Sequence, residues 1–177
     1  EAAADLAKYL REIPQRRFKE EFLSLTGWLA AGNHLKVITD LSDVLFGTPS
    51  PRVGQVNLGV LKDDEVNIVL HGHEPTLSEM IVAASTEPEL IDYARSKGAK
   101  GINLAGICCT SNEILLRQGV ASAGNFLNQE LALITGAVEA MVVDVQCIMQ
   151  ALPNLAEKFH TKFITTSPKV MIQGGLH

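Results

Sequence analysis

The 177-residue sequence has no Gly-x-Gly-x-x-Gly after its first strand-like run and no Gly-x-x-x-x-Gly-Lys-Ser/Thr. Both are loops that cradle phosphates, so a nucleotide-binding reading is disfavoured. There is no Cys-x-x-Cys pair and no zinc-ribbon spacing. No apolar run reaches the roughly 18–20 residues needed to cross a bilayer. The N-terminus reads EAAADLAKYLRE, without the basic start and apolar stretch of a signal peptide. Basic charge is not in excess: 15 Lys and Arg stand against 20 Asp and Glu, a net charge of −5. With a pI near 5.5, that argues against nucleic acid or an anionic membrane surface as partner. The cytoplasm is the expected location. Internal repeats are absent.

Cysteine is scarce as well, at three residues. Two of them, Cys108 and Cys109, are adjacent, and a vicinal disulfide is strained. A disulfide scaffold is therefore not expected. Reduced thiols are, either as packing residues or as metal ligands.

What is present is the composition of one globular domain, 46% hydrophobic and 20% charged. Leu6, Tyr9, Leu10 and Ile13 recur at helical spacing, and Pro14 ends that helix. A second helix is expected from Gln15 to Ala31, with Gly32 and Asn33 as its C-cap. Residues 1–35 are thus a helical segment, natural or an engineered cap. His34 to Phe46 reads as a further helix, and GTPSP as a turn.

From Glu65 onwards strands alternate with helices. Strands are expected at Val66–His71, Gly101–Ile107, Glu139–Val145 and Lys162–Thr166. Between them lie one or two helices from Pro75 to Lys97, broken or kinked near Glu87-Pro88, with Thr86 as the N-cap and Pro88 in the first turn of the second part. A helix from Ser111 to Gln118 is expected to be capped by Ser111 or Thr110. Asn128–Thr135 and Met149–Lys158 complete the helical runs. Strands separated by helical crossovers imply a parallel sheet. The expected fold is α/β: a Rossmann-like three-layer sandwich over residues 36–177, with a mostly parallel sheet of four or more strands.

Three apolar runs, NIVLHGH, INLAGICC and AMVVDVQC, finish in His or Cys. If they are neighbouring parallel strands, His71, His73, Cys108, Cys109 and Cys147 gather at the sheet edge where such folds bind ligands. Imidazole and thiolate together suit iron, nickel, copper or zinc. Asp144 stands in an apolar strand and needs a partner. Glu74 and Glu79 stand near the His-Gly-His turn, where a carboxylate could orient an imidazole, but read first as solvated helix-start charges; Asn112 and Glu113 follow the cysteine pair and could cap or hydrogen-bond the site. His160 reads as a surface residue.

The strings LSDVLFGTPSP, NLGVLKDDEVNIVLHGHEPTLSEMIVAA, GAKGINLAGICCTSNEILLRQG, AGNFLNQELALITGAVEAMVVDVQCIMQ and FHTKFITTSPK resemble the nickel–iron carbon monoxide dehydrogenases. The likeness runs from Leu41 to His177, and residues 1–35 do not match. It implies the middle domain of such an enzyme, carrying half of the site for its nickel–iron–sulfur cluster, the C-cluster. It implies His73 and Cys109 as ligands of a pendant iron and Cys147 as a ligand of the cubane part. Cys108 is implied as an alternative ligand, and His71 has no implied role.

The implied parent reaction oxidises CO with water to CO₂, two electrons and two protons. The isolated chain is expected to have little of that activity. A stand-alone site for one transition-metal ion, or an inert scaffold without metal, are the alternatives. Self-association into a homo-oligomer is expected.

Overall fold

The computed structural model describes residue 37 and residues 40–177. The expected helices of residues 1–13 and 15–31, their cap at Gly32 and Asn33, and His34 lie outside the described residues. Leu41–His177 form one compact unit.

Five parallel strands form one sheet in the order β3-β2-β1-β4-β5. They are β1 (Val66–His71), β2 (Ile102–Ile107), β3 (Ser122–Gly124), β4 (Val138–Val143) and β5 (Lys162–Thr165). The helices between them are α1 (Pro75–Ser85), α2 (Pro88–Ser96), α3 (Cys108–Gln118), α4 (Gln129–Ile134) and α5 (Leu152–Ala156). Residues 41–46 are also helical. Among the described residues no helix is long and apolar enough to cross a membrane.

The strand order reverses beside β1. The chain first winds outward through β2 and β3, then returns to place β4 on the other side of β1. Right-handed crossovers put α1, α2 and α3 on one face and α4 and α5 on the other, and α1 packs on α3 while α4 packs on α5. This is the expected three-layer α/β sandwich. A sheet covered on both faces buries its central strands entirely, so they read as continuous apolar runs. Val69, Ala105, Ile107, Met141 and Val143 are fully buried, and Leu133 and Leu152 close over them from the helices.

Several local expectations shift. β4 ends at Val143, so Asp144 follows the strand instead of lying in it. Helix α3 starts at Cys108, earlier than the expected Ser111. Neither Thr110 nor Ser111 caps it; both are buried within its first turns. Thr86 is not an N-cap: it closes α1, its hydroxyl donating to the Ala83 carbonyl at 2.7 Å. The break falls where Glu87-Pro88 placed it, with Pro88 in the first turn of α2. The helix expected over Met149–Lys158 is shorter, Leu152–Ala156, and Pro153 sits in its first turn.

Glu79 is not a solvated charge. It is buried on α1, 3.6 Å from Arg117 Nη1, and accepts from Gln118 Nε2 at 2.8 Å. The Arg117 side chain is 2% exposed and also meets Glu113 at 2.9 Å and Asp43 at 2.5 Å. Three carboxylates therefore surround one guanidinium. His160 lies at the surface, 3.3 Å from Glu139.

Candidate metal centre

The strand register fixes the level at which the site forms. His71 pairs with Ile107 of β2 and with Val143 of β4, so β1, β2 and β4 end together. The next residues are Gly72-His73, Cys108-Cys109 and the loop from Asp144 to Cys147. The boundary of β1 and β4 is the point where the winding reverses, the position at which sheets of this kind bind ligands.

Asp144 ties these segments together. One carboxylate oxygen accepts the backbone N–H of His73 at 2.5 Å and the other that of Glu74 at 2.8 Å. The N–H of Val145 also donates to it. Thr110 Oγ1 donates to it at 3.3 Å, and Ser78 Oγ donates to Thr110 at 3.3 Å. Main-chain bonds complete the junction: Asp144 N–H to the His71 carbonyl at 3.1 Å and Thr110 N–H to the Gly72 carbonyl at 2.9 Å. Burial pushes the Asp144 carboxyl up, and the N–H donors of His73, Glu74 and Val145 pull it back down. Gly72 is required here. Its φ is +138°, and a Cβ would fall 1.7 Å from the Asp144 carboxylate.

The two histidines differ. His73 is half-buried, and its Nδ1 is buried with no hydrogen-bond partner. A buried ring nitrogen without a partner is costly unless something else engages it. His71 is buried, with Nδ1 3.4 Å from the Ile107 carbonyl and Nε2 unpartnered. Burial lowers its pKa against the opposing pull of Gln129, the Ile107 carbonyl and Asp144, which favours the neutral ring.

Two of the three cysteines, Cys108 and Cys147, sit on strained backbone. Among the described residues, the non-glycine positions with positive φ are Cys108 at 66°, Gln146 at 64° and Cys147 at 57°. Such positions cost on the order of 1–3 kcal/mol each and persist only where surrounding contacts hold them. Cys109 and Cys147 are exposed and Cys108 is half-buried. Burial pushes the Cys108 thiol up to about 12, with Cys147, Cys109 and Asp144 adding to it. Burial also raises Cys109, followed by Cys147, Glu113 and Asp144. The three thiols thus share one electrostatic neighbourhood, in which burial favours the protonated form of Cys108 and Cys109. A bound cation reverses that balance.

Gln129 was not singled out by the sequence. It opens α4 and is fully buried. Its Nε2 donates to the Cys147 carbonyl at 2.8 Å and the Phe126 carbonyl at 2.9 Å, and its Oε1 accepts from Met149 N–H at 3.0 Å. The available signal was a lone amide at the start of the apolar helix QELALI. Asn112 is exposed and Glu113 turns to Arg117, so neither hydrogen-bonds a cysteine. Among the described residues, no group of three or more His, Cys, Asp or Glu side chains is placed to hold one ion.

Comparison with known proteins adds to this geometry. The sequence matches the Prismane/CO dehydrogenase family over residues 23–177. The match begins upstream of Leu41, so the likeness reaches further towards the N-terminus than the quoted strings do. Carbon monoxide dehydrogenase 1 of Methanosarcina mazei is 64% identical over 138 residues, covering 78% of this chain and 22% of that protein. A nickel-free crystal structure of carbon monoxide dehydrogenase from Thermococcus sp. AM4 superposes with a TM-score of 0.78 at 55% identity, over 81% of this chain and 23% of that one. An acetyl-CoA synthase/carbon monoxide dehydrogenase, described with nickel–zinc and nickel–nickel Fe4S4 clusters in its alpha subunits, gives a TM-score of 0.77 at 53% identity, over 81% and 21% of the two chains. This chain spans about a fifth of the length of these proteins.

Proposed function

We propose, from the premise that the chain belongs to the Prismane/CO dehydrogenase family, that residues 36–177 are the middle module of a nickel–iron carbon monoxide dehydrogenase. In this reading His73, Cys109 and Cys147 supply half of the protein ligands of its nickel–iron–sulfur cluster, and Cys108 is an alternative ligand. The reaction served is the reversible oxidation of CO with water to CO₂, two electrons and two protons.

The observation that carries this reading is the level ending of β1, β2 and β4, which leaves a histidine with an orphaned buried Nδ1 and three free thiols at one edge of the sheet. Soft thiolate and borderline imidazole donors fit iron and nickel. The likeness to enzymes that carry nickel and iron–sulfur clusters makes a single-ion module the lesser reading.

When bound, such a cluster supplies Lewis acidity towards CO and water and takes up two electrons. This chain's residues do the holding. Asp144 fixes the backbone of His73 and of its neighbour Glu74 through two N–H bonds. The neutral His71 fills the strand end without adding charge beside the cluster. The left-handed backbone at Cys108 and Cys147 sets where the thiols emerge.

CO and CO₂ are the proposed substrates, with no nucleic acid and no membrane as partner, and the proposed location is the cytoplasm. Three cysteines do not complete the ligand set the resemblance implies. The chain alone is therefore proposed to have little CO-oxidising activity and to self-associate through its exposed apolar surface, Leu127, Leu131 and Ile134 among it.

The test is anaerobic reconstitution with iron, sulfide and nickel, followed by metal analysis of the wild type, His73→Ala, Cys109→Ser and Cys147→Ser. Bound iron with a thiolate charge-transfer band in the wild type, lost in each folded variant, is the expected result. Equal metal content in all four proteins would overturn the reading.

A further inference from the structure

The loop carrying Cys147 is short, exposed and held in an unfavourable conformation, since Gln146 and Cys147 both have left-handed φ values and neither is glycine. Something must hold it there. The side chains of Gln146 and Cys147 do not, since both are exposed, and the Asp144 carboxylate takes only the N–H of Val145 within the loop. The holding contact comes from a helix layer of the sandwich. Gln129 is fully buried at the start of α4, and its amide spends both ends on this loop. Nε2 donates to the carbonyl of Cys147 at 2.8 Å, and Oε1 accepts the N–H of Met149 at 3.0 Å. Its second Nε2 proton goes to Phe126, in the turn Phe126–Asn128 that leads into α4. That turn is itself fixed by Asn125, which accepts the N–H of Leu127 at 2.9 Å. An amide is the one neutral side-chain group of this length that donates and accepts at once. Leucine would do neither, and glutamate would keep the acceptor while losing the donor.

We propose that Gln129 is a positioning residue for the metal centre. By clamping the main chain on both sides of Ile148, it keeps Cys147 in its left-handed conformation and so sets where that thiol enters the site. The proposal rests on the assignment of Cys147 as a ligand but reaches a residue on another helix, outside the ligand set. It separates two roles for the buried polar groups here: Asp144 fixes the His73 segment, and Gln129 fixes the Cys147 segment.

The experiment compares Gln129→Leu with Leu133→Ala in the full chain. Leu133 is a buried core residue of the same helix with no polar contact to the loop. It therefore reports what destabilising α4 does by itself. Metal-free protein is treated with iodoacetamide, and alkylation of Cys147 is followed by mass spectrometry against Cys109. Reconstituted protein is read by iron content and the thiolate charge-transfer band.

Gln129→Leu is expected to speed Cys147 alkylation about threefold or more, the scale of one net hydrogen bond. It is also expected to weaken the charge-transfer band by a similar factor. Leu133→Ala should lower the melting temperature and leave both readouts at the wild-type value. Equal behaviour of the two variants, or a wild-type alkylation rate in Gln129→Leu, overturns the proposal. If Gln129→Leu does not fold, Gln129→Glu is read against the same criteria, since it keeps the shape and the acceptor for Met149. A wild type that binds no metal would sink the metal-centre reading alone, because the alkylation arm still decides whether Gln129 positions Cys147.

Discussion

The carboxylate of Asp144, at the end of β4, accepts the backbone N–H of His73, at the end of β1, at 2.5 Å. These residues are far apart in sequence and meet where the winding of the sheet reverses. The bond is made to the main chain of His73, so its imidazole stays free. Asp144→Asn keeps the shape but turns an N–H₂ towards one of the backbone donors. It should cost about 2–3 kcal/mol, the scale for a hydrogen bond to a buried charged group. Urea denaturation of the metal-free protein checks this, and a change below about 0.5 kcal/mol would contradict the role given to Asp144.

Gly72 tests the same junction from the other strand. With φ at +138° and the Asp144 carboxylate occupying the space of a Cβ, Gly72→Ala has no relaxed solution. The expected loss is about 3 kcal/mol or more, read as the denaturation midpoint. A wild-type midpoint would mean that the junction of Gly72 and Asp144 is looser than described.

Gln146 makes the opposite prediction. It is exposed, makes no described hydrogen bond through its side chain, and has φ of 64°. Glycine at this position removes left-handed strain, so Gln146→Gly should stabilise the protein by roughly 0.5–1 kcal/mol. Thermal denaturation decides it, and a lower melting temperature would argue against strain in the loop.

The thiols should separate by pH. An ordinary thiol titrates near pH 8.5, but burial pushes Cys108 up to about 12. Alkylation of Cys108 in the metal-free protein should stay slow through the ordinary range and rise only in strong alkali. Mass spectrometry of protein alkylated at a series of pH values gives the profile. Rapid labelling of Cys108 near neutrality would refute it.

The ion cluster around Arg117 gives a pair of predictions with opposite signs. Arg117→Met strands the buried Glu79 beside the half-buried Glu113 and Asp43 and should cost about 3–5 kcal/mol at neutral pH. Burial raises the carboxyl of Glu113 against the pull of Arg117. The folded state therefore holds this proton more tightly than the unfolded one. Its contribution to stability is present below the ordinary glutamate range and is lost as pH rises through the raised value. Glu113→Gln removes that loss, so it should gain up to about 1 kcal/mol at neutral pH, with the gain vanishing on acidification. Stability curves against pH for both variants provide the check.

Much of this molecule was legible from its residues. The runs NIVLH, AGI and AMVV announced buried parallel strands, because a sheet covered on both faces has no polar side to show. Pro88 marked its helix start, since its fixed φ suits the first helical turn. The placement of His73, Cys109 and Cys147 after strand-like runs predicted a shared edge, and Asp144 stood out as a charge that needed a partner.

What the sequence alone could not decide was whatever depends on residues far apart in the chain. Glu79 looked solvated because the guanidinium that buries it comes from α3. Gln129 looked like an ordinary polar helix start because the carbonyl it grips belongs to a loop beyond β4. The left-handed backbone of Cys108, Gln146 and Cys147 has no local cause, since none of them is glycine. The sequence determined which segments become strands and which side chains wait at their ends, through periodicity and turn chemistry. Only the tertiary structure decided how those ends are locked together, because buried carboxylates and amides choose partners by proximity in space.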